Sequence, residues 1–197
     1  MKNKAVFFDR DGTILEMVYN EETEIIDSPS RPNEVRLSPG SIDVLKQLKS
    51  LGYLLVLISN QPGIGIKKLT EQNFEKIRRK FNEELEKGGV KLEKEYYCFH
   101  HPFAQIEEYR KKCNCRKPGI KFFKDAEEEF NIDLSKSWAI GDGVNDILAG
   151  DKAGTKTILI ANLLESAYLS IIEDKLKGVK PDFIVKKPKE IISIIRE

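Results

Sequence analysis

Ala5-Val6-Phe7-Phe8 runs into Asp9-Arg10-Asp11-Gly12-Thr13, so that a short apolar segment stops at two carboxylates and a glycine. The apolar run reads as a strand, and its polar end falls where a parallel sheet opens into a crevice. The same punctuation recurs along the chain. Leu54–Ile58 is a continuous apolar run of the kind buried on both faces, and Tyr96–Phe99, Trp138–Ile140, Thr157–Ile160 and Asp182–Val185 read as further strands. Helical spacing fills the intervals. One helix begins near Ser38-Pro39, carries Ile42, Leu45 and Leu48 on one face, and stops at Gly52. A second is capped by Thr70 and repeats Phe74, Ile77, Phe81 and Leu85 until Gly88-Gly89. Pro118 opens a third over Ile120, Phe123, Ala126 and Phe130, Asp146–Ala153 is short, and a terminal helix starts at Pro188. Alternating strands and helices predict an α/β fold, a Rossmann-like doubly wound parallel sheet. Residues 16–36, with two prolines and mixed charge, fit no element and read as a flap inserted after the first strand.

With 197 residues, the chain is expected to form a single domain over 1–197. Its 33 Lys and Arg against 32 Asp and Glu leave a net charge of +1, which argues against a nucleic-acid binder. A hydrophobic fraction of 40% excludes a disordered tail. No apolar run approaches the roughly 18 residues of a membrane span, and the apolar segment after Met1-Lys2-Asn3-Lys4 is too short for a signal peptide. A cytoplasmic monomer without membrane or nucleic-acid partners is therefore expected.

The polar residues at strand ends carry the chemistry. Asp9 and Asp11 follow the first strand, Ser59-Asn60 the second, and Asp142 and Asp146 the fourth, while Lys117 precedes the helix after the third. Four carboxylates in one crevice repel one another and call for a hard cation held by oxygens, for which magnesium is the natural candidate beside a phosphate. One carboxylate can then attack phosphorus, and another two residues on can protonate the leaving oxygen. Lys117 and Ser59 would hold the transferring group.

All three cysteines and both histidines fall between Cys98 and Cys115. Three thiolates, Cys98, Cys113 and Cys115, with one imidazole make a closed tetrahedral zinc site of the structural kind. His100 has the shorter bite to Cys98, whereas His101 precedes a proline; the choice between them stays open. The loop 98–115 leads directly into Arg116-Lys117, so zinc there would fix Lys117 and present Arg116 to a second charged group on the substrate.

In order and spacing, Asp9-Arg10-Asp11-Gly12-Thr13, Ser59-Asn60, Lys117 and Gly141-Asp142 with Asp146 resemble the four motifs of the haloacid dehalogenase-like hydrolases. The resemblance implies Asp9 as nucleophile and Asp11 as general acid/base, its backbone carbonyl touching magnesium. It implies Asp142 as a further magnesium ligand, Asp146 as a supporting carboxylate, and Ser59, Asn60 and Lys117 as phosphate-binding residues. With the Cys/His loop included, the chain is similar to the small branch without a large cap domain that holds heptose bisphosphate and histidinol-phosphate phosphatases. The 12 residues between His100 and Cys113 match the heptose group and imply a sugar bisphosphate losing its 7-phosphate, Arg116 standing near the phosphate that stays. Histidinol phosphate or a broader set of small phosphates is the alternative, and a phospho-aspartate receiver the alternative of another class. The chain departs from the heptose pattern at Gly143, where a lysine is usual, and at Ile66, where an arginine is common and Lys67-Lys68 stand beside it.

Overall fold

The computed structural model describes residues 2–21, 24–161, 172 and 174–196. The strands are β1 (Lys4–Phe8), β2 (Val18–Asn20), β3 (Ile25–Asp27), β4 (Tyr53–Asn60), β5 (Lys94–Cys98), β6 (Trp138–Gly141), β7 (Lys156–Ile160) and β8 (Phe183–Val185). The helices are α1 (Ser41–Ser50), α2 (Glu71–Lys87), α3 (Lys121–Phe130), α4 (Val144–Ala153) and a terminal Ile191–Arg196. Six strands form one sheet in the order β5-β4-β1-β6-β7-β8, every neighbour parallel. Omitting the β2-β3 hairpin, this is the doubly wound order, and its direction reverses between β1 and β6. Crossovers leave on opposite faces there, which opens a crevice at the carboxyl ends.

Alternation along β1 explains the two layers. Val6 and Phe8 join Leu55, Leu57, Ile140 and Ile158 on one face, covered by Leu45 and Leu48 of α1, Ile77, Phe81 and Leu85 of α2, and the terminal helix. Ala5 and Phe7 join Val56, Ile58 and Ala139 on the other, covered by Phe123 and Ala126 of α3 and Ala149 and Ala153 of α4. Both faces of the central strands are thus buried, which is why they read as unbroken apolar runs.

Three local expectations change. The second sheet strand runs to Asn60, two residues beyond the apolar run, because Ser59 and Asn60 still pair with Tyr97 and Cys98. The third helix begins at Lys121; Pro118 follows a cis peptide and stays outside it. Within 16–36, β2 and β3 form an antiparallel hairpin and Pro32–Glu34 a single 3-10 turn, residues 22 and 23 lying outside the described set. The hairpin and turn are small, so no large cap domain covers the sheet among the described residues. No helix among them is long and apolar enough to cross a membrane.

Candidate active site

Asp9 is fixed by the sheet itself: its amide donates to the Ile140 carbonyl at 3.0 Å, carrying the β1-β6 ladder one step past the strand. The chain then turns sharply, with the Ile14 and Leu15 amides both returning to the Arg10 carbonyl. Gly12 makes the turn at φ +76, and a Cβ there would collide with the Asp142 carboxylate. Glycine is required twice over, for the dihedral and for the approach of Asp142. From the facing strand, Asp142 follows β6, and Asp146 sits in the first turn of α4, where its Oδ2 accepts from the Gly143 amide at 3.0 Å.

Lys117 reaches into this cluster from the other side. Its Nζ lies 3.0 Å from Asp9 Oδ1 and 2.5 Å from Asp146 Oδ1, and donates to the Ile58 carbonyl at 2.6 Å. Burial opposes its charge, but Asp146 and Asp9 outweigh burial and raise its pKa, so the ammonium is retained. Burial pushes Asp9 up to about 6; Lys117 pulls it down while Asp146 and Asp11 add to the rise. Asp142 is pushed up to about 8, first by burial and then by Asp9 and Asp146. One lysine thus does not neutralise the group. Oxygens of Asp9, Asp142 and Asp146 lie within 4.8 Å of one another, an arrangement suited to a hard cation. Of the three, Asp146 is already committed to Lys117 and to the α4 cap.

Asp9, Asn60, Arg116, Lys117, Asp142 and Asp146 all border one cleft of about 420 Å³. Asp11 and Ser59 do not. The Asp11 carboxylate is gripped by a fork from Arg10, at 2.9 Å from Nε and 3.0 Å from Nη2, and accepts from Gln61 Nε2 at 2.6 Å. Burial would raise the Asp11 pKa, but Arg10 and Gln61 reverse the balance and lower it. Arg10 is 1% exposed, its guanidinium 5.7 Å from the centres of the Phe74 and Tyr97 rings. Ser59 Oγ accepts from the same Gln61 amide at 3.1 Å. Asn60 borders the cleft and also holds Lys117: Oδ1 accepts from the Lys117 amide at 2.9 Å and Nδ2 donates to the Lys117 carbonyl at 3.1 Å. These two bonds clamp the backbone of Lys117 at the edge of the cleft.

Sequence reasoning missed Arg10, Gln61 and this clamp. A cation between two acids in an apolar context was the available signal for Arg10, since a fully buried arginine needs a carboxylate beside it. Of Lys67 and Lys68, only Lys68 borders the cleft; Lys67 turns the loop at φ +58.

The Cys/His loop closes on itself next to Lys117. The distances are 3.3 Å for Cys98 to Cys115, 3.6 Å for Cys98 to Cys113 and 3.1 Å for Cys113 to Cys115. His100 Nδ1 lies 3.7 Å from Cys98 Sγ and 3.3 Å from Cys115 Sγ. A tetrahedron with metal bonds of 2.0–2.3 Å has edges of about 3.3–3.8 Å, so these four atoms suit zinc. His101 is elsewhere, its Nδ1 accepting from the Phe103 amide at 3.2 Å.

A family model described as haloacid dehalogenase-like hydrolase matches residues 24–154. The chain belongs to the haloacid dehalogenase-like hydrolases. It is 39% identical over 159 residues to the D-glycero-beta-D-manno-heptose-1,7-bisphosphate 7-phosphatase of Haemophilus ducreyi, covering 80% of this chain and 82% of that protein. To the protein of that name from Escherichia coli K12 it is 37% identical over 158 residues, covering 79% and 78%. In fold this hydrolase resembles the D,D-heptose 1,7-bisphosphate phosphatase of B. bronchiseptica, solved with magnesium and phosphate. The TM-score is 0.77 at 21% identity, over 98% of both chains.

Proposed function

We propose that this hydrolase is a magnesium-dependent phosphomonoesterase that removes the 7-phosphate of D-glycero-β-D-manno-heptose 1,7-bisphosphate. The observation that carries it is Asp9 at the strand-order reversal, 3.0 Å from Lys117 in a cleft shared with Asp142, in a chain 35–39% identical to relatives bearing that name. An Asp9 oxygen attacks phosphorus, the bond from phosphorus to the sugar oxygen breaks, and its electron pair leaves on that oxygen, which takes a proton from Asp11, protonated once its carboxyl has left the Arg10 fork for the cleft. Water then attacks the aspartyl phosphate and returns a proton to Asp11, releasing inorganic phosphate and free Asp9. For either transfer Asp11 exchanges the Arg10 fork for the cleft, a side-chain rotation. Ser59 reaches the phosphoryl oxygens by the same kind of release from Gln61.

Asp9, Asp142 and the Asp11 carbonyl would hold magnesium, which supplies positive charge to the transferring phosphoryl group. Lys117 adds a fixed cation, and Asp146 and the Ile58 carbonyl hold it in place. Cys98, His100, Cys113 and Cys115 would hold a structural zinc, closed to substrate, that fixes the chain entering Arg116 and Lys117. The test is phosphate release from a panel of phosphorylated metabolites. Heptose 1,7-bisphosphate should give a kcat/KM at least 100 times that of histidinol phosphate; the reverse order would reassign the substrate.

A further inference from the structure

Two hollows meet at one ion pair. The catalytic cleft of about 420 Å³ adjoins a second of about 590 Å³ beneath the hairpin, lined by Tyr19, Ile25, Arg31 and Glu34 among others. Asp27, Ser28, Ser30 and Lys68 border both, and Lys68 Nζ meets Asp27 Oδ2 at 2.8 Å. The pair is therefore the partition between the two spaces. It is a weak one, because both side chains are about half exposed (63% and 48%). Exposed pairs of this kind shift an equilibrium by no more than about fivefold.

Among the described residues, three cations border the cleft: Lys68, Arg116 and Lys117. Lys117 is consumed by Asp9 and Asp146. Arg116 donates to the His100 carbonyl at 3.3 Å, keeping the rest of its fork for the cleft. Lys68 has only an aspartate that a stronger anion can displace, and its backbone is held by a donation to the Gly63 carbonyl at 2.8 Å. A substrate carrying one phosphate, the one transferred to Asp9, has no use for this lysine. A second phosphate would meet it, and a phosphate with up to two charges and three acceptor oxygens outcompetes a single carboxylate.

We propose that Lys68 anchors the second, non-reacting phosphate of a bisphosphorylated substrate, and that Asp27 of the hairpin occupies Lys68 until that phosphate displaces it. The hairpin is then a selective strap: a monophosphate leaves it closed, and a bisphosphate exchanges Asp27 for its own anion and gains the outer hollow. This rests on the phosphatase reading and adds which residues choose the substrate.

The test compares kcat/KM for heptose 1,7-bisphosphate and heptose 7-phosphate in the metal-loaded full chain, with Lys68→Met, Lys68→Arg and Asp27→Asn. Lys68→Met should lower the bisphosphate-to-monophosphate ratio at least tenfold, and Lys68→Arg should restore most of it. Asp27→Asn should raise the ratio two- to fivefold, because the competing carboxylate is gone. A ratio indifferent to Lys68→Met, or one that falls in Asp27→Asn, overturns the inference while leaving the phosphatase reading standing. If the unaltered chain hydrolyses neither compound, both fail together.

Discussion

Asp9 carries the proposed chemistry, and its removal should be decisive. Asp9→Asn keeps the shape and the Ile140 ladder bond, which belongs to the backbone, but takes away the attacking oxygen; turnover of any phosphomonoester should drop at least 1000-fold with little change in thermal midpoint. Residual activity within tenfold of the parent would remove Asp9 from the nucleophile role. Arg10 presents the opposite balance. It is buried with its charge paired to Asp11, so Arg10→Leu strands a buried carboxylate and should cost about 3–5 kcal/mol of stability, read from urea unfolding. A loss under 1 kcal/mol would mean that water reaches Asp11 freely. These two residues also mark how far sequence goes. Asp9 was legible because a carboxylate after an apolar run has one place to point in a parallel sheet. The direction of Asp11 was not, because period two along an extended chain assumes the strand continues, whereas the Arg10–Leu15 turn swings its carboxylate onto Arg10.

Elements built by burial were legible, and elements built by pairing were not. β4 and α2 announced themselves through apolar period, and α2 even through its cap, with Thr70 accepting from the Asn73 amide at 3.1 Å. The β2-β3 hairpin has Tyr19, Ile25 and Ile26 largely exposed, so it shows no buried face for periodicity to reveal. The Cys/His loop lies between these cases: its few turns are short, and scarce residues rather than period marked it. Such a loop buries little on its own, so its order should depend on the metal. Cys113→Ser removes one of the four proposed ligands and should reduce bound zinc from about one per chain to under 0.2, measured by atomic absorption, and lower the thermal midpoint by several degrees. Zinc retained at full stoichiometry would refute the ligand set.

At the level of the whole chain, a net charge of +1 conceals an acidic focus at the sheet's carboxyl edge. Without metal, burial and mutual repulsion push Asp9 up to about 6 and Asp142 up to about 8, both above their ordinary range, and so favour the protonated forms. The folded chain then keeps protons that the unfolded chain releases near pH 4. The stability these groups contribute is complete below about pH 4 and is lost as pH rises through 6 and then 8. A divalent cation held by the ionised cluster, as proposed, would act the other way, with an effect small where the cluster is protonated and large where it is bare. The thermal midpoint of magnesium-free, zinc-loaded protein should therefore fall as pH rises from about 4 to about 8, and the increase produced by millimolar magnesium should be several-fold greater at pH 8.5 than at pH 5. Asp142→Asn should remove the upper part of the fall and most of the magnesium increment together, since one carboxylate supplies both. An increment equal at pH 5 and pH 8.5 would show that magnesium stabilises the chain somewhere other than this cluster.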